Sequence, residues 1–60
     1  MTVDEAKIAL GMKPSDVVVK AGWYVFERAY KKAIKDPKID KAIKKTYEVS
    51  LEAVSVLLKE

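Results

Sequence analysis

Apolar residues recur every three or four positions through Ile39, Ile43, Tyr47, Leu51, Val54 and Leu58, while Lys41, Lys45, Glu48, Glu52, Ser55 and Lys59 run along the opposite side. A period near 3.6 marks an amphipathic helix, and the spacing predicts one over residues 38–58. Ala42, Val49, Ala53, Val56 and Leu57 widen its dry side beyond a narrow seam, as in the core helices of globular bundles. A second helix of equal length is expected over residues 15–35, and the rest of the chain is expected to be organised around it. One stripe on it, Val19, Gly22, Trp23, Phe26, Tyr30, Ala33 and Ile34, is assigned to the last helix as antiparallel partner. A second stripe, Val18, Ala21, Val25 and Ala29, faces elsewhere. Between them the polar strip is thin: Lys20, Tyr24, Glu27, Lys31 and Lys35.

Start and stop signals set the remaining boundaries. Thr2 supplies a capping oxygen, Asp4 and Glu5 sit beside the positive end of a helix dipole, and Gly11 offers the positive φ that commonly ends helices, giving a first helix over residues 3–11. Met12 to Pro14 then forms a tight connection with Ser15 as the next cap. Asp36-Pro37 stops the central helix, because proline lacks an N–H and pushes the preceding residue out of the α region. The run from Val17 to Phe26 is rich in β-branched and aromatic residues, so a hairpin about Lys20-Ala21-Gly22 competes with the helix. It has no third strand to pair with, and an isolated hairpin is marginal in water. The fold class read from the pattern is all-α: a single domain over residues 1–60, with a short N-terminal helix plus a long antiparallel helical hairpin.

Sixty residues bury only about 60% of the surface their unfolded chain exposes, so the margin of stability is thin. The chain has no cysteine and no histidine, which leaves regular helix packing and self-association as routes to stability. The short first helix covers only part of the second stripe. A homodimer is therefore expected, two hairpins forming a four-helix-type bundle through Val18, Ala21, Gly22, Val25 and Ala29. Lysine and glutamate are plentiful while asparagine and glutamine are missing, a bias shared with proteins of hyperthermophiles. No uncharged apolar run is long enough to span a bilayer, and Lys20 interrupts the longest one without a basic segment ahead of it. A cytoplasmic protein without a membrane partner is expected.

Candidate chemistry is sparse. Ser15, Ser50, Ser55, Thr2 and Thr46 have no histidine to act as base. Glu48 and Glu52 stand one turn apart on the wet side, whereas metal sites in helical bundles project their ligands inward. No enzyme, no metal, no cofactor and no small-molecule substrate are expected. Trp23, Phe26, Tyr30 and Tyr47 read as core, and Tyr24, on the polar strip, is the aromatic placed for partner contact.

Charge separates the ends of the molecule. The net +3 hides a segment from Lys31 to Lys45 with seven lysines and two aspartates, net +5. Lys31, Lys32, Lys35, Lys38, Lys41, Lys44 and Lys45 thus form a basic tip at the interhelical turn, suited to an acidic protein surface or to phosphate backbones. Lysine without arginine favours contact with charge over readout of bases. Leu10-Gly11-Met12-Lys13-Pro14-Ser15-Asp16-Val17 resembles the turn and second-helix start of a helix-turn-helix DNA-binding motif. That resemblance implies nucleic-acid contact through the Met12 to Lys20 region. Two features depart from the motif: Lys7 stands where a small buried residue belongs, and the would-be recognition helix opens on three valines. The leading expectation is a non-catalytic oligomeric interaction module, an adaptor, scaffold or assembly subunit offering the lysine tip; the second is a small basic DNA- or RNA-binding protein.

Overall fold

The computed structural model describes residues 1–59 and contains three helices there, α1 (Val3–Ala9), α2 (Lys20–Ile34) and α3 (Lys41–Leu58), with no strand. Local chemistry fixes their ends. Thr2 caps α1 in a full capping box, its hydroxyl accepting from the Glu5 N–H at 3.2 Å while the Glu5 carboxylate accepts from the Thr2 N–H at 3.0 Å. At the other end Gly11 takes φ +78°, the Gly11 N–H reaches the Ile8 carbonyl and the Met12 N–H reaches that of Lys7. These two bonds make a Schellman cap, which requires the left-handed residue that glycine supplies.

The start of α2 differs from its expected place at Ser15. Asp16 is drawn back into a turn, its N–H bonding the Lys13 carbonyl and its carboxylate accepting from the Lys13 N–H, both at 2.9 Å. Lys7 ties the same turn to α1 by donating its Nζ to the Pro14 carbonyl at 2.9 Å. With these groups used, Val17, Val18 and Val19 lie outside any helix, Val19 in the extended region, and α2 begins at Lys20 behind an N-cap valine that has no capping side chain. Three successive β-branched residues lose side-chain freedom in a helix and keep it in extended chain. The β preference of this stretch thus prevails for three residues rather than ten.

Between α2 and α3, Asp36 and Pro37 open a turn closed by the Ile39 N–H on the Asp36 carbonyl, and the Asp36 carboxylate accepts from the Lys38 N–H at 2.9 Å. Asp40, expected inside the first turn, is instead the N-cap of α3, accepting from the N–H groups of Ala42 and Ile43.

The organising element is α3, not α2. It packs against both other helices, whereas α1 and α2 do not meet. Of the four buried side chains, Ala53, Val54 and Leu57 lie on α3 and Ala6 on α1. Val3, Leu10, Met12, Val18, Trp23 and Val56 close around them. Along the α2–α3 hairpin a ladder of rings continues the contact: Trp23 to Phe26 at 5.2 Å between centroids, Phe26 to Tyr30 at 6.3 Å, and Tyr30 to Tyr47 across the helices at 5.3 Å. Offset and tilted pairs at these separations are the favoured aromatic geometries.

Candidate interaction surface

The inner side of α2 is narrower than the pattern suggests. Trp23, Glu27, Tyr30, Ala33 and Ile34 are half-buried, while Gly22 and Phe26, assigned to the same stripe, are exposed, Phe26 by 50%. On the far side Ala21, Val25 and Ala29 are exposed, Val25 by 68%. The reason is that α1 packs along α3 and its backbone does not approach α2. Gly22, Val25, Phe26 and Ala29 therefore form one uncovered apolar face drawn from both expected stripes. Gly22 has no internal reason to be glycine, because a Cβ there would meet nothing within 4 Å.

Val18 does not belong to that face. It sits in the extended connector and packs against the cluster of Ala6, Ala53 and Leu57, so its assignment to an interface is corrected by the late start of α2. Its neighbours Val17 and Val19 point outward, 83% and 66% exposed. This alternation at period two, out, in, out, separates the three valines from a helix.

The described chain exposes 4534 Å², against about 3,900 Å² for a compact monomer of its mass. Its radius of gyration is 11.6 Å, against about 10.4 Å for a compact chain of this length. It is a slab of 36 × 20 × 15 Å, with too few layers to enclose both sides of α2.

At the opposite end the seven lysines of the tip are all exposed: Lys31 and Lys32 on the last turn of α2, Lys35 as its C-cap, Lys38 in the turn, and Lys41, Lys44 and Lys45 on the first turns of α3. One of them is engaged, Lys31 with Glu27 at 3.8 Å, a surface pair of small energy. Both aspartates of the segment are held by backbone N–H groups. A shallow hollow beside the turn is lined by Ala29, Lys32, Ala33, Lys35, Asp36 and Pro37 and joins the lysine end to the apolar face. Tyr24 is exposed on the side of α2 expected for it.

The geometry expected of a helix-turn-helix is absent. That motif joins its helices by three or four residues at a steep angle, whereas here the chain from Leu10 to Val19 separates α1 from α2 and the two helix backbones do not approach each other. Among the described residues no group of three or more carboxylate, histidine or cysteine side chains is placed to hold a metal ion, and no helix is long and apolar enough to cross a membrane. Comparison with known protein families, with curated proteins and with solved structures finds no match to this chain.

Proposed function

We propose that this protein is a non-catalytic interaction module that self-associates through the outer face of α2 and offers its lysine end to an acidic partner surface. The observation that carries the reading is the uncovered apolar face of Val25, Phe26, Gly22 and Ala29. Apolar surface removed from water is worth about 25 cal/mol per Å², a large return for a domain with four buried side chains. A second copy is always at hand to cover it. The excess exposure of roughly 600 Å² per chain approaches the ~800 Å² that each partner contributes to a standard interface. Light scattering at micromolar concentration is expected to report a dimer, and Val25→Glu a monomer; wild-type protein that stays monomeric removes the reading.

A second reading, contact with nucleic-acid phosphates, is favoured by one specific arrangement. Seven lysines ring the turn while the two aspartates among them are drawn to the backbone. Non-specific binding of this kind weakens steeply with salt. Binding to random duplex DNA, titrated with salt, is expected to weaken and to lose salt dependence when Lys38, Lys41 and Lys45 are replaced by alanine. No binding at low salt leaves an acidic protein surface as the partner.

A further inference from the structure

The outer flank of α2 carries more than exposed bulk. Gly22, Phe26, Ala29 and Ala33 follow one another at alternating steps of four and three residues, the spacing of a coiled-coil seam. Phe26 is the large member and the others are small. All but Ala33 are exposed, and Ala33 is half-buried at the hollow by the turn. Val25 and Lys32 border the seam, a position where the lysine stem can lie along an apolar neighbour with its charge in water.

Two ways of docking a second copy on this seam differ in what they bring together. Parallel pairing sets each residue against its own copy, Phe26 on Phe26 and Gly22 on Gly22, crowding one layer and emptying the next. It also lays the two lysine ends side by side, each segment net +5, and like charges repel. Antiparallel pairing with the two-fold axis between Glu27 and Arg28, near the middle of α2, sets Phe26 over Ala29 of the second copy and Gly22 against its Ala33. Large meets small in the two central layers, and the small Gly22 and Ala33 face each other in the outer ones, where the two backbones can approach closely. Antiparallel pairing instead holds the two net +5 ends apart at opposite poles of the pair. Each α2 C-terminus also meets the N-terminus of the other, the favourable arrangement of helix dipoles.

We infer that a second copy docks antiparallel along this seam, in the register that opposes Phe26 to Ala29 and Gly22 to Ala33, so that the dimer carries its two lysine ends at opposite poles. The inference rests on the self-association proposed above and adds its orientation, register and consequence. A dimer built this way is bivalent. It bridges two acidic surfaces instead of binding one with a doubled patch.

The test uses the absence of native cysteine. Full-length Gly22→Cys and Ala33→Cys chains are mixed, unfolded and refolded together, then oxidised mildly. In the antiparallel register the two positions face each other, whereas two copies of position 22 stand about 16 Å apart along the axis, beyond the reach of a disulfide. Heterodisulfide well above its statistical share, with loss of both homodisulfides, is the expected result. Ready homodisulfide formation by Gly22→Cys alone overturns the orientation. Sedimentation of the reduced variants and of the wild type separates the two claims: a dimer that gives no heterodisulfide contradicts this register while self-association stands, and a wild-type monomer removes both.

Discussion

Thr2 and Glu5 show how much of a short helix rests on two side chains. A helix of seven residues cannot hold itself in water, and α1 relies on its capping box, its Schellman end and the burial of Ala6. Thr2→Ala is expected to cost about 1 kcal/mol, read as a lower melting temperature and faster exchange of the α1 amides. The Glu5 carboxyl is held below its ordinary value of 4.5, first by the backbone N–H of Thr2 and then by its hydroxyl. A lowered carboxyl stabilises the folded state above the unfolded value and loses that contribution as pH falls through the folded one. Acid melts should therefore show wild type and Glu5→Gln converging below pH 4.5 and separating above it; a constant difference across that range contradicts the linkage. Val18 offers a second test at this scale. Val18→Ala is expected to destabilise by about 1 kcal/mol or more through lost packing, while Val17→Thr, at a position 83% exposed, should leave the melting temperature nearly unchanged. Equal effects at the two sites would contradict the alternation of the connector.

The two longer helices were legible because the signals for each are redundant. The apolar period of α3, the Asp36-Pro37 stop and the lysines around the turn all agree, and the structure keeps them together. What the pattern could not reveal was which neighbour each face of α2 would meet. Val19, Gly22 and Phe26 satisfy the spacing of an inward stripe as well as Trp23 and Tyr30 do, and only the docking of α1 onto α3 decides between them. The start of α2 departs from its capping signals for a related reason. Ser15 and Asp16 are good caps, yet Asp16 bonds back to Lys13, and a run of three valines favours extended chain once it does. Val18 moved from surface to core with that shift. Gly22 gives this scale its prediction. Alanine in a helix interior is favoured over glycine by ~1 kcal/mol, and a Cβ at Gly22 meets nothing in its own chain. Gly22→Ala should thus raise helix stability at low concentration, and should loosen the dimer if a second backbone lies close. A rise in melting temperature that is independent of protein concentration would show that no chain approaches there.

At the scale of the whole molecule the chain divides its labour between ends and faces. α3 gathers what core there is, the outer face of α2 is left apolar, and the interhelical turn collects positive charge. A slab 15 Å thin with four buried side chains has little stability to spare, and covering one further face is the economical way to gain it. If two copies do so, melting becomes concentration-dependent by mass action. The lysine end should remain free in that assembly, so neutralising Lys38, Lys41 and Lys45 is expected to change binding to an acidic partner without changing the mass of the protein. Sedimentation equilibrium of wild type and Val25→Glu over a wide concentration range tests the central claim most directly. A wild type approaching twice the 6.7 kDa of one chain, with the variant held at one chain's mass, is the predicted result. A wild type that sediments as a single chain throughout, or a variant that assembles equally well, would contradict it.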